Sequence, residues 1–112
     1  MQRYLISFDD GTMIIADEDL PDVSRATRAV VAEAKAAGVW IFGCGLAHQQ
    51  ANVVSTDGTV AARPFPETKA VLGGFSIIEV PAREEALAWA AKFAASCRCA
   101  QDVREIMYDP ES

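Results

Sequence analysis

The sequence predicts an α+β protein of the ferredoxin-like class, a βαββαβ sandwich with one added hairpin. Runs rich in aromatic and β-branched residues, which favour strands, alternate with two alanine-rich stretches whose apolar residues have helical spacing. In the middle of the chain, an Asp-Gly pair at 57–58 separates two short strand-like runs and is the strongest hairpin signal of the sequence. Both helices are expected to cover one side of a mainly antiparallel sheet.

A strand, a turn and a helix are predicted in the first third of the chain. Residues 4–8 form the first strand, and an Asp-Gly pair at 10–11 marks the turn after it. Residues 13–15 are a short apolar run, which is either an extra strand or part of the loop. Asp19 is expected to cap the first helix, whose apolar residues recur every three or four positions until Gly38 ends it.

The middle of the chain predicts a second strand, the hairpin and a further strand. Residues 39–42 are a compact apolar run, and the Gly-Cys-Gly segment at 43–45 is interpreted as a tight bend after it. The segment does not match a dinucleotide-binding fingerprint, because a hairpin follows it instead of a helix. Residues 52–55 and 59–61 flank the hairpin turn, and residues 75–80 form the next strand.

The last third predicts the second helix and the last strand. The helix follows Pro81, with Glu84 and Glu85 in its first turn, where acids favour a helix N-terminus. Its buried side carries apolar residues from 86 to 94 at helical spacing. Residues 103–108 are expected to be the final strand before a polar tail.

The charge balance argues against nucleic-acid and membrane partners. The chain has 112 residues, the length of one domain, and ten basic against sixteen acidic residues give a net charge of -6. Nucleic-acid binders usually carry a basic stripe that neutralises phosphates, and anionic membrane surfaces attract the same charge. The sequence contains no such cluster, so we expect neither partner.

The cysteines predict neither a metal site nor a cofactor. There are three, Cys44, Cys97 and Cys99, and the N-terminus does not resemble a signal peptide. We therefore expect reduced thiols in a cytoplasmic protein. A zinc site would need four ligands in paired spacings, so these cysteines are interpreted as small buried hydrophobes.

The segment from 62 to 75 is the main candidate for function, because it is irregular by pattern and rich in charge. Arg63 offers a planar fork suited to carboxylate or phosphate groups, and Lys69 offers a point charge. Glu67 completes the charged set, and Phe65 supplies an apolar wall. The alternative interpretation is a proline-stiffened loop whose charges pair with one another and whose Phe65 fills the core.

A motif within this segment carries a family resemblance. Residues 64–69 read Pro-Phe-Pro-Glu-Thr-Lys, and residues 72–75 read Leu-Gly-Gly-Phe. They resemble the DGPF-type branch of the YCII-related family, whose members read Asp-Gly-Pro-Phe-x-Glu-Thr-Lys before a Gly-Gly-aromatic strand opening. The motif is divergent here, because its opening Asp-Gly is replaced by Ala-Arg at 62–63.

The resemblance covers most of the chain from about 23 to 108, and it is also carried by the segments at 37–38, 43–46 and 85–91. It implies a dimeric α/β-barrel arrangement with a cleft near the motif. It further implies that some relatives are enzymes with a His–Asp dyad and that others occur beside or fused to sigma factors. The first-helix position of that His falls near Thr27, and the matching segment 89–93 of the second helix contains no acid.

We therefore expect a single YCII-like domain over residues 1–112 that forms a homodimer and binds a small anionic ligand. Arg63 and Lys69 would hold the charge of the ligand, and Phe65 and Trp40 would supply apolar walls. Because the dyad is missing, we expect a binding protein more than an enzyme.

Two alternatives stay open. The first is an enzyme of lyase or hydrolase type that uses His48, the only histidine, with Asp57 or Glu67. The second is a regulatory interaction module that acts through protein contacts, as the association of relatives with sigma factors implies.

Overall fold

A computed structural model describes residues 1–47, 52–62 and 72–112. Its strands and helices follow in the order β1 (Gln2–Asp9), α1 (Leu20–Ala36), β2 (Trp40–Gly45), β3 (Asn52–Val54), β4 (Val60–Ala62), β5 (Leu72–Val80), α2 (Arg83–Cys97) and β6 (Asp102–Glu105). Four strands form an antiparallel sheet in the order β2-β5-β1-β6, and β3 pairs with β4 in a separate hairpin. The expected α+β class with an antiparallel sheet and two helices is confirmed, and this strand order is that of a ferredoxin-like sandwich.

The hydrophobic core lies between the sheet and α2. Tyr4 of β1 pairs with Ile78 of β5, and both side chains are buried on the side of the sheet that faces the helices. Alternate residues of a strand share a face, so Ile6 and Val80 join them there. Ala86, Ala90 and Phe93 of α2 complete the cluster. The core side chains of β1 and β5 therefore pack against α2.

The opposite face of the sheet carries a second apolar group. Leu5 pairs with Ile77, and Ile77 pairs with Phe42 of β2, so the three side chains share the face away from the helices. The rings of Phe42 and Phe75 lie 6.1 Å apart, and Phe42 is 53% exposed. Trp40, by contrast, pairs with the buried Ile78 and belongs to the helix side.

The ends of the helices differ from the predicted caps. Asp19 precedes α1, but its carboxylate makes no capping hydrogen bond and instead accepts one from the Arg98 guanidinium at 3.2 Å. Pro21 occupies the first turn of α1, as expected, and Gly38 after the helix has a φ of 75°, which favours glycine. The helix α2 ends at Cys97, and Arg98 after it is left-handed with φ 58° and ψ 36°.

Two boundaries of the sheet were predicted wrongly. The glycines at 43–45 do not bend the chain but continue β2, where they pair with residues 74–76 of β5. The last strand ends at Glu105 and not at 108, because β6 pairs only with Tyr4–Ser7 of β1. One further hydrogen bond joins the two segments, from the Ile106 N–H to the Arg3 carbonyl. Residues 13–15 are loop and not a strand.

The described part of the chain contains no helix that combines the length and the apolar character needed to cross a bilayer.

Candidate functional site

A pocket of about 590 Å³ lies between α1 and the helix side of the sheet. We call it the α1 pocket. It is lined by α1, by β2 and β5, by the loop before α1 and by the C-terminal end of α2. Its size is within the range of about 300–1,000 Å³ that is usual for small-molecule sites.

One face of α1 forms the first wall of the pocket. Leu20, Val23, Thr27, Val31 and Lys35 line it at intervals of three or four residues, which places them on one side of a helix. Only Val23 of these five is buried. The sheet therefore does not fill this face of α1, and the space between them is the pocket.

The second wall is formed by aromatic rings and by small residues. Trp40 lines the pocket from β2, and its ring centroid lies 6.1 Å from that of Phe93 on α2. Gly43 and Ser76 are cross-strand partners at the floor, and Phe8 lines the pocket from β1. The small residues leave an open space above the sheet, and the aromatic rings enclose this space. This wall therefore suits a flat apolar ligand.

The charge of the α1 pocket is opposite to that of the whole chain. Arg28 and Lys35 line it, and neither makes an ion pair with another described residue. No described lining residue is an Asp or a Glu. In a chain of net charge -6, the pocket therefore presents two cations that have no ion-pair partner within the described ranges, beside an apolar floor.

A pair of thiols lies at one end of the pocket. The Sγ atoms of Cys97 and Cys99 are 3.3 Å apart, and both residues are buried. Gln101 donates from Nε2 to the Cys97 Sγ at 3.0 Å, and Cys97 and Gln101 line the pocket. Burial, and secondly the neighbouring Cys97 thiol, raise the pKa of Cys99 to about 11, although Thr12 and Gln101 act in the opposite direction.

The residues predicted from the sequence to bind ligand lie outside the described residues. These are Arg63, Phe65, Glu67 and Lys69, and the same is true of His48, the candidate catalytic residue. They stay predictions.

Two other residues named from the sequence are described. Trp40 lines the α1 pocket, as a wall of a binding site should. Asp57 is exposed and sits in the hairpin turn, where its carboxylate accepts a hydrogen bond from the Thr59 N–H at 2.9 Å. The hydrogen bonds from Thr59 lower the pKa of Asp57, so the carboxylate is tied to a local structural role.

Sequence reasoning missed the residues that give the pocket its chemistry. Arg28 and Lys35 are seven residues apart, so they share a helix face, and this spacing beside Val31 was a usable signal. The Cys-x-Cys spacing at 97–99 is a second signal, although by itself it is typical of two small buried hydrophobes. That two side chains at positions i and i+2 would meet depends on the left-handed Arg98 between them, which no pattern indicates.

Comparison with known proteins gives a family and a fold. The model of the YCII-related domain matches residues 4–107. No curated protein matches the chain. Among solved structures, the chain is similar to 5-chloro-2-hydroxyhydroquinone dehydrochlorinase from Burkholderia phenoliruptrix in complex with 2,5-dihydroxybenzoquinone, with a TM-score of 0.54 and 16% identity over 99% of this chain and 98% of the other. At that identity the likeness supports the fold alone.

Proposed function

The chain belongs to the YCII-related domain family, and from that premise we propose that the α1 pocket binds a small, flat, apolar anion such as an aromatic carboxylate. The observation that carries the proposal is the charge of the pocket. Arg28 and Lys35 have no acidic partner among the described residues, and the described lining contains no carboxylate. A bound anion would supply the missing charge, and hydrogen bonds to a guanidinium are stronger than neutral ones.

The shape of the pocket supports an aromatic ligand. Its volume of about 590 Å³ exceeds that of a single substituted ring, and Phe8, Trp40 and Phe93 offer ring surfaces. Aromatic pairs favour offset or edge-to-face contact, which these walls allow.

The family resemblance supports the same place and argues for binding. It locates the His of the family dyad near Thr27 and the acid within 89–93, and Thr27 and Phe93 both line the α1 pocket. A hydroxyl group and a phenyl ring at these positions cannot act as a general acid–base pair near neutral pH. The pocket is thus proposed as the family cleft in a chain that keeps the cavity without the dyad.

The fluorescence of Trp40 provides a direct test. The chain has two tryptophans, and Trp89 does not line the pocket. In a Trp89→Phe protein, emission therefore reports on the pocket alone. We expect benzoate to change this emission with saturation, whereas benzyl alcohol, which is similar in shape and neutral, binds more weakly.

The charge contribution is tested by matched arginine variants. Arg28→Gln should weaken benzoate binding about ten- to a hundredfold, since a charge-assisted hydrogen bond contributes about 1.5–3 kcal/mol. Arg25→Gln is the control, because Arg25 is on the same helix but pairs with Asp22 and does not line the pocket. Equal affinities in the two variants, or equal binding of benzoate and benzyl alcohol, would contradict the proposal.

The segment at 62–69 is proposed as a further set of ligand contacts. Arg63 and Lys69 would add positive charge, Phe65 an apolar wall and Glu67 a polar contact. Arg63→Ala should then weaken benzoate binding in the same titration. If affinity is unchanged, the ligand is held by the α1 pocket without this segment.

A catalytic role is the second proposal, favoured by the enzyme of similar fold. That protein is a dehydrochlorinase in complex with 2,5-dihydroxybenzoquinone, so a hydroxylated quinone and its chlorinated hydroquinone precursor are suitable probes. The described pocket lining contains no carboxyl or imidazole group, and His48, the candidate named from the sequence, is the residue that this proposal tests as the general base. Chloride release that is lost in His48→Ala would support an enzyme, and binding without turnover would favour the first proposal.

We also propose that the chain forms a homodimer through the helix-free face of the sheet and the β2 edge. Large apolar side chains are exposed along β2 and just after it, at Ile41, Phe42 and Leu46, and on the hairpin at Val54 and Val60. A second copy would remove this surface from water, and homodimer interfaces are more apolar than ordinary surface.

Sedimentation equilibrium tests the dimer. Phe42→Glu should shift the protein toward the monomer, because it places a charge within the apolar face. Leu87→Glu is a matched control, since Leu87 is similarly exposed, at 48%, but lies on α2. A monomeric wild-type protein, or dissociation by the control alone, would contradict this interface.

A further inference from the structure

The C-terminal end of α2 brings two cysteines together. Arg98 lies between Cys97 and Cys99 and is the only described residue other than glycine with a positive φ. Its left-handed conformation reverses the chain after the helix, so the side chains on both sides of it turn inward. The two Sγ atoms are 3.3 Å apart, and both residues are at most 9% exposed.

We propose that Cys97 and Cys99 form an oxidisable dithiol, which a hydroperoxide that enters through the α1 pocket converts into a disulfide. A disulfide needs an S–S distance of about 2.05 Å, so the sulfurs must approach by little more than an ångström. Because α2 ends at Cys97, the segment after it can adjust without disturbing the packed turns of the helix. Both thiols are already turned toward each other, and neither forms a disulfide with Cys44.

The surroundings of the thiols assign a role to each. Cys97 lines the pocket, so a hydroperoxide there can reach its sulfur, and its Sγ accepts a hydrogen bond from Gln101 Nε2 at 3.0 Å. Cys99 does not line the pocket, and burial raises the pKa of its thiol. Cys97 is therefore the thiol that attacks the hydroperoxide, and Cys99 is the resolving thiol, which then attacks the oxidised Cys97 sulfur.

The reaction balances in two steps. The Cys97 thiolate attacks one oxygen of the hydroperoxide, the O–O bond breaks, and an alcohol (or water) leaves after protonation, with a sulfenic acid on Cys97. The Cys99 sulfur then attacks the Cys97 sulfur and expels hydroxide, which takes the Cys99 proton and leaves as water. The two cysteines lose two electrons to the hydroperoxide. Their proximity offsets the weak acidity of Cys99 in the second step.

Oxidation of Cys97 and Cys99 does not require the proposed aromatic ligand. Chemical labelling detects the two thiols directly, and a pocket that admits a small hydroperoxide need not bind an aromatic anion. Failure of either proposal is therefore recognised separately.

The test uses the folded Cys44→Ser protein, in which Cys97 and Cys99 are the remaining thiols. After treatment with hydrogen peroxide, we expect loss of both thiols, recovery on addition of dithiothreitol, and a mass lower by two hydrogen atoms. Trypsin cleaves after Lys92, Arg98 and Arg104, so the two cysteines fall in adjacent peptides, 93–98 and 99–104. These peptides should be recovered as one disulfide-linked pair from monomeric chains on a non-reducing gel.

A second variant shows which thiol reacts first. In the double variant Cys44→Ser/Cys99→Ser, treated with hydrogen peroxide in the same way, the linked peptides should disappear. A sulfenic acid on Cys97 should then be trapped by dimedone. Retention of both thiols in folded Cys44→Ser protein after peroxide treatment would overturn the proposal. Linked peptides found only in covalent dimers, or oxidation that stops at sulfinic acid with Cys99 still free, would also overturn it.

Discussion

The indole ring of Trp40 occupies the space that a side chain at Gly43 would need. A Cβ atom at Gly43 would lie 2.5 Å from Cη2 of Trp40 and 3.1 Å from the Phe75 carbonyl oxygen. The missing Cβ therefore lets a large ring lie flat over the edge of the sheet, where it forms part of the pocket wall. This close contact also explains why the glycine is found within a regular strand.

Replacement of Gly43 by alanine should accordingly displace Trp40. We expect Gly43→Ala to lower the free energy of unfolding by about 1–3 kcal/mol, the usual cost of overpacking, and to shift the Trp40 emission. Gly45→Ala is the control, because a Cβ at Gly45 meets no atom within 4 Å. Chemical denaturation of both variants measures the difference, and equal stabilities would refute the steric explanation.

Phe93 should be important for both stability and the pocket. It is 5% exposed, packs in the core cluster and contacts the Trp40 ring. Phe93→Ala is expected to cost about 3–5 kcal/mol, because it removes a buried ring and leaves a cavity. Leu87→Ala, on the same helix but exposed, should cost less than about 0.5 kcal/mol. Urea denaturation distinguishes the two, and similar losses would contradict the assigned core.

Stability should decrease in alkali because of Cys99. Its pKa is raised from 9.0 to about 11 in the folded protein, mainly by burial. Between these values the unfolded chain has lost the thiol proton and the folded chain keeps it. The contribution of the Cys99 thiol to the free energy of unfolding is therefore complete below pH 9 and disappears as the pH rises through 11. The free energy of unfolding should fall by on the order of 2 kcal/mol across this window.

The measurement compares wild type with Cys99→Ser from pH 8 to pH 11 in the presence of a reductant. Lysines and tyrosines titrate in both proteins, so the difference between the two curves isolates the thiol. Parallel curves would show that Cys99 ionises as easily in the folded state as in the unfolded state.

Lys92 joins the two helices through a weak contact. Its ammonium group pairs with Glu33 of α1 and lies 5.1 Å from the centroid of the Trp89 ring. Both charged side chains are about half exposed, so the ion pair should contribute less than about 1 kcal/mol and the cation–π contact a similar amount.

We therefore expect Lys92→Ala to cost more than Glu33→Ala, because the alanine at 92 removes both contacts. A double-mutant cycle gives the coupling of the pair, which should weaken in high salt. A coupling energy that does not respond to salt would contradict an electrostatic contact.

The course of the chain was predictable where local pattern and burial agree. Tyr4–Phe8 is rich in aromatic and β-branched residues, α2 has apolar residues at helical spacing, and the structure has them as strand and helix. The Gly-Cys-Gly segment of β2 was misread, because glycine usually marks bends and the reason for Gly43 lies in a contact with Trp40. Local sequence does not show which ring will cover a strand.

The pocket was less predictable than the fold. It exists because the sheet does not fill the face of α1 that runs from Leu20 to Lys35, while α1 packs against α2. The distance between a helix and a sheet depends on the sizes of all the side chains between them. Trp40 is predicted from the sequence as an apolar wall of a cleft beside residues 62–69, and it lines the α1 pocket.

The position of β1 at the centre of the sheet constrains when this protein can fold during synthesis. Tyr4 pairs with Ile78 on one side and with Glu105 on the other, so both neighbours of the first strand are made late. Contacts so distant in sequence are slow to form, and an unpaired strand is open to association with other chains. As a nascent chain leaves the ribosome, its first strand has both edges free until β5 emerges, and the sheet is complete only once β6 has followed.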